Sequence, residues 1–367
     1  MTAFRIPWRA GRILALGGDL KCRPALAEGE EVRFLDEVGD LASPEAQDAL
    51  DKMMFGLEPD TLVCDKHPGY YSSTIARDLA RSRGLQIIEV SHHRAHVAAV
   101  CLELEIPDAP VVGLAFDGTG YGDDGTAWGG EFFVGSVASG FVRRASFAPL
   151  PLPGGDAAVR EPWRIAAALL IERGTSDDEL RTWLDRRAIH ADLPLFRRGL
   201  ASGIAIGRSS ALGRWFDAVS ALLGLGTVAG FEAEPAIRLQ QAAEAAGGAG
   251  DAMFAAEVRP GAPMLIDFPD LARLAQCPAD DVPARAFAFH QAAAEAVAET
   301  AAFLAKESGC RTVIASGGCF LNRLFDRLLA EALAARGLEY RKPILLPPGD
   351  QALALGQAGL ALAGRAG

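Results

Sequence analysis

The chain has 367 residues, half of them hydrophobic, which is enough apolar material for a full core and points to two lobes rather than one. Its 36 basic and 47 acidic side chains give a formal charge of −11 and a pI near 5.1, an acidic balance with no basic cluster that argues against nucleic acid as a partner. No uncharged apolar run approaches the roughly 20 residues of a membrane span, and M-T-A-F-R-I-P-W-R lacks the apolar segment of a signal peptide, so a cytoplasmic protein with no membrane partner is expected.

Residues 12–17 (R-I-L-A-L-G) read as a short apolar strand that breaks into G-G-D-L-K-C. Glycines at a strand end free backbone N–H groups to face an anion, and Lys21 adds a charge. A phosphate-binding turn is one reading; an ordinary hairpin turn is the other. Residues 31–34 return as a strand. Residues 43–55 form an amphipathic helix opened by S-P with proline at its first position. A buried strand (62–65), the loop D-K-H-P-G-Y-Y and a helix (73–83) lead to a strand over 85–90. That strand ends at Ser91, a candidate N-cap, and S-H-H-R-A-H-V-A-A-V then opens a helix.

His92 and His96 stand four apart, so their imidazoles share one helix face. Such pairs also arise by chance on exposed helices, but three of the six histidines fall within residues 92–96. Asp117 follows at the end of the next apolar strand (111–116), where a second sheet would bring it opposite the pair. Nitrogen and oxygen donors without thiolates suit Fe(II), Zn or Mn(II). The six cysteines are scattered with no C-x-x-C, against both a zinc ribbon and a disulfide framework.

From residue 111 the order restarts, with strands over 131–137 and 141–148. A proline- and glycine-rich loop over 150–164 carries Asp156, Arg160 and Arg164, with Trp163 as a packing anchor. Helices over 165–172 and 214–223 follow, the second with Asp217 beside its apolar face, and then G-F-E-A-E-P with Gly230 and Glu234. Carboxylates here either accept from ribose hydroxyls or stay solvated. A strand over 312–315 runs into Ser316, Gly317 and Gly318 at a helix N-terminus, the geometry used for phosphate oxygens, and Asn322 caps that helix or touches ligand. A last strand is expected over 340–346. Asp350 then serves as an N-cap of the closing helix or as a ligand. Sheet then helices, twice, predicts two related α/β lobes, 1–109 with 351–367 and 110–350, with the site at the carboxyl ends of the strands.

Taken together, S-H-H-R-A-H, D-G-T-G-Y-G-D-D-G-T-A-W-G-G-E-F, L-P-G-G-D-A-A-V-R-E-P-W-R, F-D-A-V-S-A-L-L-G-L, S-G-G-C-F-L-N and G-D-Q-A-L-A-L-G-Q occur in this order in one family. The chain resembles the C-terminal, TsaD-like domain of the HypF hydrogenase-maturation carbamoyltransferases from L-A-L-G-G-D-L-K onward. The resemblance implies a two-lobed actin-like ATPase fold of the sugar-kinase and Hsp70 superfamily. It implies a divalent metal, Fe or Zn, on His92, His96, Asp117 and Asp350, the first three also catalytic. ATP or carbamoyl adenylate is implied along Asp217, Gly230, Glu234, Ser316, Gly317, Gly318 and Asn322, with Lys21 at the first glycine turn. The implied activity moves a carbamoyl group from carbamoyl adenylate to the C-terminal cysteine of a HypE-type acceptor, on the way to the cyanide ligands of NiFe-hydrogenase. A YrdC-like domain would supply the adenylate, and neither it nor the acylphosphatase-like and zinc-finger domains of the full-length family occurs in these residues. Cys22 and Cys319 flank the phosphate turns, with structural roles favoured over covalent relay. Cys22, Cys319, Gln351 and Ala352 depart from the family pattern. The alternatives are a non-catalytic nucleotide-binding scaffold of a maturation complex and a small-molecule O-carbamoyltransferase.

Overall fold

The computed structural model describes residues 3–203, 206–248 and 254–365; residues 1–2 and 366–367, read with the first lobe, and 204–205 and 249–253, read with the second, lie outside the described residues. The first part of the chain supplies β1 (Ala3–Ala15), β2 (Ala25–Phe34), α1 (Pro44–Gly56), β3 (Thr61–Asp65), α2 (Tyr71–Arg83), β4 (Gln86–Val90) and α3 (His92–Glu103). Then come β5 (Val111–Tyr121), β6 (Ala127–Ser136), β7 (Gly140–Phe147), β8 (Leu150–Pro153), α4 (Asp156–Arg160), α5 (Trp163–Glu172), α6 (Asp177–Asp185), α7 (Leu193–Ser202) and β9 (Ile206–Ser209). The remainder is α8 (Leu212–Leu222), α9 (Glu234–Ala245), β10 (Glu257–Arg259), β11 (Met264–Asp267), α10 (Val282–Ser308), β12 (Thr312–Ser316), α11 (Arg323–Ala335), β13 (Glu339–Arg341) and α12 (Leu353–Leu362).

Among the described residues these strands form two sheets. One has the order β2-β1-β3-β4, an antiparallel hairpin continued by parallel strands. The other runs β10-β11-β7-β6-β5-β12-β13, with β9 joining β8 to β6. Continuous apolar runs explain the central strands: every residue of β3 is buried, as is the V-V-G-L-A-F start of β5, which is the pattern of strands covered on both faces. The result is an α/β architecture built on two sheets, each flanked by helices. No described helix is long and apolar enough to cross a membrane.

Helices α3 and α12 pack on each other, α12 against the first sheet and α3 against strands of both. Glycines make this close approach possible. A Cβ on Gly356 would collide with the carbonyl oxygen of Ala95, one on Gly359 with the side chain of Leu102, and one on Gly113 of β5 would stand 2.5 Å from Val97 Cγ1. α12 is further fixed to the β1 end, because the Gln357 amide donates to the Gly17 carbonyl (3.1 Å) and accepts from the Gly17 N–H (2.8 Å).

Several boundaries differ from the sequence reading. The first strand starts at Ala3 rather than residue 12, with Phe4 and Ile6 buried between exposed Ala3, Arg5 and Pro7. β5 continues through Asp117 to Tyr121, with an irregularity in its pairing to β6 between Phe116 and Gly120. The 150–164 loop contains β8 and the short helix α4. The strand expected over 340–346 ends at Arg341, since Pro343, Pro347 and Pro348 carry no N–H and the N–H groups of Ile344 and Leu345 donate to the Glu103 carboxylate instead. Ser43 caps α1 as read, accepting from the Ala46 N–H at 3.1 Å.

Gly356→Ala should destabilise the protein by about 2 kcal/mol or more, because the obstructing atom is backbone and has no rotamer to change. Urea unfolding followed by circular dichroism checks this, with Gly56→Ala, whose Cβ meets nothing within 4 Å, as the unaffected control.

Candidate metal centre

β4 ends at Val90, and the chain turns directly into α3, placing His92 and His96 in its first two turns with both imidazoles buried. Ser91 occupies the N-cap position, but its hydroxyl caps nothing. Asp117 comes from β5 just beyond Phe116, and Asp350 from the turn that precedes α12. One donor atom from each of these four residues lies within 4.8 Å of the others. Asp117 Oδ2 and Asp350 Oδ1 each stand 3.4 Å from His96 Nε2 and 3.8 Å from His92 Nε2. Both Nε2 atoms are buried and have no hydrogen-bond partner in the protein. Two orphaned imidazole nitrogens and two carboxylate oxygens aimed at one point fit a divalent cation of the Fe or Zn class.

A second layer of contacts fixes how these donors face. Asp65, the last residue of β3, places Oδ2 2.8 Å from His92 Nδ1, so the proton sits on Nδ1 and the Nε2 lone pair points inward. Ser316 does the same for His96. Its hydroxyl donates to the Pro348 carbonyl (3.2 Å), leaving its oxygen to accept from His96 Nδ1 (3.2 Å). Asp117 Oδ1 accepts from the N–H groups of Gly118 (2.8 Å) and Gly318 (3.3 Å), which turns Oδ2 toward the histidines. Gly18 leaves room beside the cluster, since a Cβ there would meet Leu353 at 3.1 Å and Asp350 Oδ2 at 3.5 Å.

The electrostatics call for positive charge. Burial opposes an imidazolium at His92, yet the carboxylates of Asp65 and, nearby, Asp117 outweigh it and push the pKa well above the usual histidine value. His96 is also raised, burial being overcome by the adjacent carboxylates of Asp117 and Asp350. Asp117 is held well below the carboxylate range, because the two histidines outweigh its burial. His93, with no carboxylate partner, is pushed well down by burial and by its charged neighbours. A bound cation would satisfy the same demand as these protons and compete with them.

The other residues singled out in the sequence are more dispersed. Lys21 is exposed, with Nζ 3.6 Å from Glu232 Oε2. Asp217 is buried and bonded to Arg214 at 2.8 Å. Glu234, the first residue of α9, accepts from the Gly230 N–H (2.6 Å) and from Arg238 (2.5 Å). The Gly317 N–H donates to the Pro348 carbonyl at 2.7 Å. Asn322 caps α11, its Oδ1 accepting from the Phe325 N–H (3.0 Å) while its amide nitrogen donates to His290 Nε2 (3.0 Å). Trp163 is buried beside Phe196, as expected of an anchor. Asp65 and Arg214 were not singled out in the sequence. Asp65 had one signal, an acid closing a fully buried strand.

Two family models match the chain: "HypF Kae1-like domain" over residues 9–103 and "Carbamoyltransferase, Kae1-like Domain, second subdomain" over residues 113–357. Carbamoyltransferase HypF2 of Cupriavidus necator is 36% identical across 98% of this chain, which spans only 48% of that relative. A carbamoyltransferase HypF homolog from the same organism is also 36% identical and is covered over 91% of its length. Among solved structures, full-length HypF in a phosphate- and nucleotide-bound form superposes with a TM-score of 0.86 at 28% identity, covering 98% of this chain and 47% of that one. HypF of T. kodakarensis gives 0.85 at 30% identity, covering 99% of this chain and 49% of its own. The chain thus spans about half the length of most of these relatives.

His92→Ala should abolish stoichiometric metal in protein purified from cells, and Asp65→Asn should weaken metal affinity about 10–100-fold while leaving all four donors in place; plasma emission spectroscopy and chelator competition read both. A separate pH effect follows from His290, whose pKa burial pushes down to about 4. The unfolded chain takes up this proton near pH 6.5 and the folded one only near 4. Stability is therefore lost as pH falls through that window, by roughly 3 kcal/mol. Urea midpoints at pH 7 and pH 4.5 should show this loss, and His290→Gln should flatten it.

Proposed function

The chain belongs to the HypF carbamoyltransferase family, and we propose that its cleft moves a carbamoyl group from carbamoyl adenylate to the C-terminal cysteine of a HypE-type acceptor, toward the cyanide ligands of NiFe-hydrogenase. The observation that carries this reading is the convergence of His92, His96, Asp117 and Asp350, two of them offering buried nitrogens with no protein partner. A divalent cation held there, Fe or Zn, supplies Lewis acidity toward a carbonyl oxygen. Asp65 and Ser316 keep the Nδ1 protons on the outer side of both rings. Gly118 and Gly318 hold the Asp117 carboxylate in line.

The nucleotide part of the proposal follows Lys21, Asp217, Gly230, Glu234, Ser316, Gly317, Gly318 and Asn322. Lys21 is engaged only in an exposed ion pair, so it can exchange Glu232 for a phosphate at little cost. Gly230 and Glu234 mark the start of α9 as the adenosine end. Asn322, occupied by its cap and by His290, acts by anchoring the helix that follows the S-G-G loop.

The nucleophile comes from outside. Burial raises the thiol pKa of both Cys22 and Cys319, and nearby carboxylates raise them further, so neither is poised as a thiolate relay. The incoming cysteine thiolate attacks the carbamoyl carbon directly, and AMP departs. The adenylate is proposed to come from a YrdC-like source outside the residues described.

The test is to offer purified, metal-loaded protein synthetic carbamoyl adenylate and a HypE-type acceptor, and to look by mass spectrometry for the carbamoyl group on the acceptor cysteine. Transfer is expected, and Asp117→Ala should slow it about 100-fold or more. Hydrogenase maturation that survives Asp117→Ala would favour a scaffold instead.

A further inference from the structure

Arg214 is the one arginine of the α8 first turn, and its side chain is only 8% exposed. Its Nη2 donates to Asp217 Oδ2 at 2.8 Å. Nε and Nη1 are buried and have no partner in the protein. A guanidinium carries five donors in a planar fork, and leaving charged donors unpaired away from water is costly. One carboxylate oxygen on one nitrogen does not satisfy it.

The position of this group is set by two glycines. Gly213 brings the start of α8 down onto the chain beside Asp117, where a Cβ would stand 3.0 Å from Gly118 Cα and 3.2 Å from the Asp117 carbonyl. Gly118 keeps a gap open next to the guanidinium. A Cβ there would lie 3.7 Å from Arg214 Nη2 and, chain neighbours aside, within 4 Å of no other heavy atom. Gly118 is also the residue whose N–H orients the ligand Asp117. A guanidinium with two unpartnered nitrogens therefore borders, through Nη2, a gap one residue away from the metal cluster.

We infer that Arg214 is the phosphate-binding residue of a subsite beside the metal cluster, taking the phosphate of a nucleoside monophosphate or its acyl derivative. The inference rests on the adenylate-linked reading of the cleft. Asp217 then acts as a positioning residue, holding Nη2 at the edge of the gap so that the guanidinium meets the phosphate there, rather than as an acceptor from ribose. In the transfer step, the thiolate sulfur bonds to the carbamoyl carbon and the bond from that carbon to the phosphate oxygen breaks. The electron pair leaves on that oxygen, and no proton is needed because the thiolate enters deprotonated and AMP leaves as its phosphate anion. The charge grows on the oxygen that a bidentate guanidinium is shaped to receive.

The test compares AMP and adenosine binding to metal-loaded protein by calorimetry. The wild type should bind AMP more tightly than adenosine. Arg214→Lys should weaken AMP about tenfold or more and leave adenosine unchanged. Gly118→Ala, whose methyl has ordinary contact distance to Nη2 and meets nothing else, should shift AMP in the same direction without loss of thermal stability. Equal weakening of both ligands, unchanged AMP affinity in both variants, or a wild type that does not discriminate AMP from adenosine would overturn the subsite. Intact discrimination with no carbamoyl transfer would instead sink the transfer reading and leave the subsite standing.

Discussion

Two imidazole nitrogens sealed from water and facing two carboxylates form an arrangement that the protein alone cannot leave neutral and satisfied. The rest of the molecule can be understood as the means of holding it. Asp65 and Ser316 close parallel strands in different sheets, Asp117 lies in the strand beside Ser316, and Asp350 leads into the final helix. The site therefore sits where carboxyl ends of strands from both sheets meet, the usual place for ligands in open α/β sheets. Its precision depends on the packing of α3 against α12, which glycine makes possible at Gly356 and Gly359.

The cluster is set by backbone as much as by side chains. Asp117 is oriented by two amide N–H groups from separate segments, and His96 through a hydroxyl already bonded to a carbonyl. The S-G-G segment, whose sequence suggests a phosphate loop, has its Gly317 and Gly318 N–H groups engaged with Pro348 and Asp117. Its first task is to shape the metal centre. Positive charge for a phosphate is available instead from Arg214, buried one helix away.

Much of this was legible in the sequence, for identifiable reasons. A buried strand ending in S-H-H-R-A-H fixes both the helix and the shared face of His92 and His96, because local periodicity decides it. The order of strands and helices likewise follows from local pattern, and with it the two-sheet fold. What escaped was long-range. Nothing local to D-K-H-P says that Asp65 lies beneath His92, since that depends on β3 and β4 pairing in parallel at a register joining Asp65 to Val90. The strand expected over 340–346 failed because its apolar residues and prolines face a glutamate 241 positions earlier, whose carboxylate takes the Ile344 N–H. Nothing local to G-R-W-F-D marks Arg214. Only burial and two unpartnered nitrogens set it apart.

One consequence concerns the order in which the molecule can be assembled. The histidines are made well before Asp350 and the helix that seats it, which is tied back to Gly17 through Gln357. A nascent polypeptide still held by the ribosome can offer a cation only part of its coordination sphere. Metal capture thus waits on segments made at different times, and a product cut short before α12 would be screened out by its inability to retain the ion.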